Sequence, residues 1–131
     1  MRLNQVTIPV TNVPRSVEFY TRLGLLQIVD SADYARFELP EGDSTFSIHR
    51  VDQMPPPSEV TIYFECNDLD EKVEALRQSG IEFTSGPADM SWRWREARLL
   101  DPDGNEICLF HAGENRRNPP WRMRIPGAEA G

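Results

Sequence analysis

The chain has 131 residues, 39% of them hydrophobic and 27% charged, and a formal net charge of −7 at pH 7. That is one domain's length, enough to bury a core without disulfides or a structural metal, and too apolar for a disordered segment. No window reaches the ~18 unbroken apolar residues of a membrane span, the acidic balance disfavours a nucleic-acid partner, and two distant cysteines, Cys66 and Cys108, make no disulfide framework.

Met1-Arg2-Leu3-Asn4-Gln5 has no apolar run of the signal-sequence kind, so the expected compartment is the cytoplasm. Alternation over Gln5-Val6-Thr7-Ile8 predicts a strand. Asn12 is suited to an N-cap, Val13, Val17 and Tyr20 follow on one helical face, and Gly24 sits where a left-handed C-cap belongs. Short strands are expected at Leu26–Val29, Tyr34–Leu39 and Thr45–Arg50, with Glu41-Gly42-Asp43 as a hairpin turn. Met54-Pro55-Pro56-Pro57-Ser58 reads as a stiff spacer.

After the spacer the pattern repeats. Glu59-Val60-Thr61-Ile62 matches the first strand, and Asp68, Leu69, Val73, Leu76 and Gly80 match the first helix and its caps at an offset of 56. Strands are expected at Glu82–Thr84, Trp92–Leu100 and Glu106–His111, with Asp101-Pro102-Asp103-Gly104-Asn105 as the second hairpin turn. Ala97-Arg98-Leu99 matches Ala35-Arg36-Phe37, Gly104 matches Gly42 and His111 matches His49, all at an offset of 62. Each copy reads strand–helix–strand–strand–strand. The fold class expected is α+β, built from two pseudo-symmetric βαβββ modules.

Val10-x-x-Val13-x-Arg15-Ser16-x-x-Phe19-Tyr20 with Leu23-Gly24, and the Asp101–Asn105 turn before the last strand, resemble the vicinal oxygen chelate superfamily. Glyoxalase I, extradiol dioxygenases, fosfomycin-resistance enzymes and bleomycin-binding proteins are among its members. The resemblance covers roughly residues 3–113 and implies a single domain over 1–113. Module one spans 3–52, the linker 53–58 and module two 59–113, with an extended tail at 114–131. It also implies a mixed sheet curled around a cleft, and a homodimer.

Strand alternation divides residues between helix side and cleft side. The cleft set is Gln5, Thr7, Tyr34, Arg36, Ser47, His49, Thr61, Tyr63, Glu65, Trp94, Glu96, Arg98, Cys108 and Phe110. In the superfamily's metal enzymes the ligands stand at positions that map onto Gln5, Ser47, Thr61 and Cys108. Ser47 and Thr61 are poor ligands for a divalent first-row metal, and Cys108 replaces the expected glutamate. A displaced site for Mn, Fe, Ni or Zn would draw on Gln5, His49 and Glu65 (or Glu96). His49 and Glu96 are the acid–base candidates. Arg36 and Arg98 either grip an anionic ligand from opposite sides of the cleft or pair internally with Glu38 and Glu96. Cys108 reads as a buried small residue rather than a nucleophile.

In the tail, Trp121, Met123 and Ile125 alternate with Arg122 and Arg124, which predicts an extended run along a partner edge or over the cleft mouth. Gly127–Gly131 is expected to be disordered. The function that follows is small-molecule binding or sequestration without the usual metal, by a protein with no membrane or nucleic-acid partner. The alternative is a divalent-metal lyase, isomerase or ring-cleaving dioxygenase using the displaced site.

Overall fold

Asn12 opens the first helix by accepting the Arg15 amide on its side chain at 3.0 Å. The computed structural model, which describes residues 1–124, runs β1 (Gln5–Val10), α1 (Val13–Leu23), β2 (Leu26–Asp30), β3 (Tyr34–Glu38) and β4 (Thr45–Arg50) in its first half. The second half runs β5 (Thr61–Glu65), α2 (Leu69–Gln78), β6 (Ser85–Asp89), β7 (Arg95–Leu100) and β8 (Glu106–His111). Residues 51–60 between them carry no regular structure. No helix among the described residues is long and apolar enough to cross a membrane.

Each module forms a four-stranded mixed sheet, in the order β1-β4-β3-β2 and β5-β8-β7-β6. The first pair in each is parallel and the other two pairs are antiparallel. This is the α+β arrangement of two βαβββ units that the repeat predicts. The helix-facing sides of both sheets share one core, in which Tyr20, Phe37, Phe46, Ile48, Leu99, Ile107 and Leu109 are essentially inaccessible. Each such side chain contributes roughly 1.5–3 kcal/mol by leaving water. Phe46 of module one packs edge-on against Phe64 of module two at 5.7 Å.

The structure corrects several boundaries. The strand expected at Glu82–Thr84 lies at Ser85–Asp89. Ser85-Gly86-Pro87 has turn composition, yet β6 is an outer strand, where proline is tolerated. Gly86 lets the β7 backbone come so close that an added Cβ would sit 2.2 Å from the Glu96 carbonyl oxygen. β7 begins at Arg95, not Trp92, because Arg93 takes a left-handed φ of 67° in a turn closed by its amide on Met90. Val60, part of the segment matched to the first strand, precedes β5 and is exposed. Asp68 makes no side-chain cap bond, and α2 has Asp70 and Glu71 in its first turn to complement the helix dipole.

His49 and His111 are not structural counterparts. Tyr34 pairs with His49 and Glu96 with Phe110, so the counterpart of His49 is Phe110, and Arg50 is that of His111. The hairpin between β7 and β8 is one residue shorter, which moves the offset from 62 on β7 to 61 on β8. The tail also differs from an extended run: a 3-10 turn at Gly113–Asn115 leads into a further turn closed by the Asn118 amide on Glu114. Ile125 and the expected disorder at Gly127–Gly131 lie outside the described residues.

Candidate functional site

The outward face of the second sheet carries an aromatic shelf. Trp94 and Phe110 stack with centroids 4.7 Å apart and planes 22° from parallel. Tyr63 stands edge-on to both, at 5.9 and 5.6 Å. Phe110 is buried, but Tyr63 keeps 46% of its surface exposed, so its ring remains free to meet a ligand.

Behind the shelf lies an ion network. Glu96, buried, accepts Trp92 Nε1 at 2.7 Å and Arg98 at 3.1 Å. Arg98 also reaches Glu106 at 2.6 Å and lies over the Tyr63 ring. Two carboxylates thus neutralise one guanidinium, and that contact holds the Arg98 pKa above its ordinary value. Cys108 is fully buried, 3.6 Å from Glu96. Burial, reinforced by the Glu96 charge, pushes its thiol up to about 12, which is the wrong direction for a nucleophile.

The first sheet's outward face has different chemistry. Thr7 and Ser47 hydroxyls are 2.5 Å apart, Gln5 Oε1 accepts from Thr45 at 2.8 Å, and Arg36 Nε donates to the Tyr34 hydroxyl at 2.9 Å. The Ser47 hydroxyl and, after it, Arg36 draw the Tyr34 phenol below its ordinary range. His49 is exposed beside Tyr34.

The expected cleft residues therefore fall into groups. Gln5, Tyr63, Glu65 and Phe110 come together in a 750 Å³ groove between the modules, with Phe46, Ile62, Gly113 and Arg116 completing its wall. Trp94, Glu96, Arg98 and Cys108 adjoin it from the second sheet. Thr61 sits at the start of β5 opposite Glu106. Thr7, Tyr34, Arg36, Ser47 and His49 form a separate cluster. Among the described residues no hydrogen bond, ion pair or aromatic contact joins that cluster to the second sheet's face. Within this chain Arg36 and Arg98 share no contact partner among the described residues. Arg98 makes the expected ion pair with Glu96, but Arg36 makes none with Glu38 among the described residues.

The proposed ligand set for a metal does not fit either. Gln5 pairs with Thr45 and Pro9 with His49, so Gln5 and His49 are four residues apart along parallel strands, or ~13 Å. Glu65 is occupied: its Oε2 accepts the Ala112 and Gly113 amides at 2.7 and 2.9 Å, with Arg116 at 3.8 Å from its other oxygen. Among the described residues no three His, Cys, Asp or Glu side chains are grouped as a metal site. His111 bonds the Cys66 carbonyl at 3.1 Å, tying β8 to the end of β5.

Four contributors lie outside the expected cleft set. Trp92 belongs to no strand, and only its spacing of four from Glu96 hinted at a link. Glu106 alternates onto the right face but was not expected to hold Arg98. Asn115 and Arg116 close the end of the shelf, with Trp94 Nε1 3.5 Å from the Asn115 carbonyl.

The family model described as the glyoxalase/bleomycin resistance protein/dioxygenase superfamily matches residues 2–109. A glyoxalase/bleomycin resistance protein/dioxygenase from Nocardioides superposes with a TM-score of 0.70 at 26% identity, covering 86% of this chain and 83% of that one. A bleomycin-binding protein in complex with bleomycin gives 0.69 at 23% identity, covering 85% and 98%. A superfamily member from Sphaerobacter thermophilus gives 0.71 at 24% identity, covering 85% and 97%. The last two likenesses speak to the fold alone. A search of curated proteins returns no match.

Proposed function

From a chain that belongs to the glyoxalase/bleomycin resistance protein/dioxygenase superfamily, we propose a binding or sequestration protein for a planar, cationic small molecule. The observation that carries this reading is the aromatic shelf opening into the groove between the modules. A groove of 750 Å³ is drug-sized, Tyr63 offers an accessible ring, and the net charge of −7 favours approach of a cation. A bleomycin-binding protein of this fold, in complex with bleomycin, supports the reading.

A metal-dependent lyase, isomerase or dioxygenase working through Gln5, His49 and a carboxylate is less well supported, since the strand register holds Gln5 and His49 apart. The donors that do approach one another are hydroxyls, an amide and paired carboxylates, which suit binding better than metal ligation. The proposal includes cytoplasmic residence and a homodimer. Sedimentation is expected to give twice the 15.0 kDa chain mass, and a monomer at every concentration would remove the dimer from this reading.

The test is calorimetric titration with bleomycin and with simple planar aromatic cations, beside Tyr63→Ala and Trp94→Ala. Wild type is expected to bind at least one, and either substitution to weaken it by about tenfold, as loss of an aromatic anchor does. Binding that survives both substitutions unchanged, or no binding to any member of the panel, overturns the shelf as the site.

A further inference from the structure

Arg36 and Arg98 occupy the same register in the two modules, and their surroundings differ residue by residue. Arg36 pairs with Ser47 where Arg98 pairs with Cys108. Tyr34 stands where the second module has Glu96, and Thr45 where it has Glu106. The second module thus gives its arginine two carboxylates, at 3.1 and 2.6 Å. The first gives its arginine hydroxyls in their place.

Only Nε of Arg36 is engaged, on the Tyr34 hydroxyl at 2.9 Å. Its two terminal nitrogens have no protein acceptor among the described residues. The nearby carboxylates are committed or distant: Asp33 and Asp52 hold Arg50, each at 2.8 Å, and Glu38 pairs in register with Thr45 at the far end of β3. A half-buried guanidinium with a free fork calls for a planar or tetrahedral oxyanion.

We propose that Arg36, with Tyr34 and the adjacent His49, forms a binding site for an oxyanion, the carboxylate or phosphoryl group of a small molecule, separate from the aromatic shelf. The Arg36 fork takes two oxygens side by side. Tyr34 accepts from Arg36 through its oxygen and turns its own proton toward the anion. The draw of Ser47 and Arg36 on that phenol makes it a better donor. Thr7 and Ser47, bonded to each other, lie on the same sheet face, with Ser47 paired to Arg36 in register.

Nitrogen-15 spectra of the arginine Nε–H groups read this directly, with benzoate, phenyl phosphate and chloride added at matched ionic strength. Benzoate or phenyl phosphate is expected to move the Arg36 signal while chloride leaves it in place. Whichever moves it at the lower concentration identifies the ligand group as carboxylate or phosphoryl. Arg36→Gln should weaken binding by at least about tenfold, and Arg36→Lys should restore only part of it. Tyr34→Phe, which keeps the fold's ring in place, should weaken it less. An Arg36 signal that neither organic anion moves beyond chloride, or equal affinity in Arg36→Gln, overturns the site. Neither result touches the shelf proposal, which is read by cation binding at Tyr63 and Trp94.

Discussion

The two modules meet at two ends, and the ends are built from opposite materials. Where β1 finishes, it meets the turn between β7 and β8. There the Tyr20 hydroxyl donates to Asp101 at 2.7 Å, Thr11 and Arg15 bind Asp103, and Asn105 Nδ2 donates to the Pro9 carbonyl at 3.0 Å. Where β5 finishes, near the turn between β3 and β4, the counterparts of Tyr20 and Asp101 are Leu76 and Leu39. Both leucines join the shared core, no hydrogen bond among the described residues ties Asn67 or Asp68 to that turn, and a 190 Å³ cavity remains between Leu39, Phe64 and Lys72. A repeat can therefore conserve its backbone while one junction is locked by directional bonds and the other is left loose. The loose junction is the one beside the groove that ends at Glu65 and Arg116.

Removing the lock should have the largest effect. Asp101 is buried and accepts four bonds, from the Tyr20 hydroxyl, the Asp103 and Asn105 amides and Asn105 Nδ2. Asp101→Ala strands those donors, the Tyr20 hydroxyl in a dry core, and should cost about 4 kcal/mol. Leu39→Ala at the other end removes a partly buried side chain beside an existing cavity, and roughly 2 kcal/mol is expected. Urea midpoints of the two variants decide the matter. Equal losses would mean that the bonds at the first junction add nothing beyond packing.

The modules and their strands were legible because the signals are local: alternation, caps and an offset shared by several elements. Thr45–Arg50 and Glu106–His111 stand where alternation placed them. The site was less legible, because its partners are chosen across strands. Whether Arg98 would meet Glu96 or a ligand depended on Glu106, eight residues away and opposite Leu100 in the register. Glu38 shares a strand face with Arg36, yet the two make no ion pair among the described residues. Glu65 looked like a free cleft carboxylate, and its capture of two amides past β8 is a contact between segments 47 and 48 residues apart. The supposed likeness of His49 and His111 failed for a smaller reason, a hairpin loop that differs by one residue.

Ser47 and Cys108 occupy equivalent positions in the two modules, and both are wholly buried. At Ser47 the group is a hydroxyl bonded to Thr7, with nothing to titrate in water. At Cys108 the thiol is pushed up from 9.0 to about 12 by burial and by Glu96. The folded state therefore binds the proton more tightly than the unfolded one. Below pH 9 both states hold it and the group is silent. Between 9 and 12 the unfolded chain loses the proton first, so folding stability falls as pH rises through that window. At pH 10 the loss is about 1.4 kcal/mol, one pKa unit's worth. Cys108→Ala should remove this alkaline decline while Ser47→Ala leaves its slope unchanged, as urea midpoints from pH 8 to 10.5 would record. A native thiol titration should agree, with Cys108 unreactive at pH 9 until denaturant is added. If the slope persists in Cys108→Ala, the alkaline sensitivity belongs to another buried group, with the Cys66 thiol, also raised by burial, and then the Tyr20 phenol, raised by burial and by Asp101, the next to substitute.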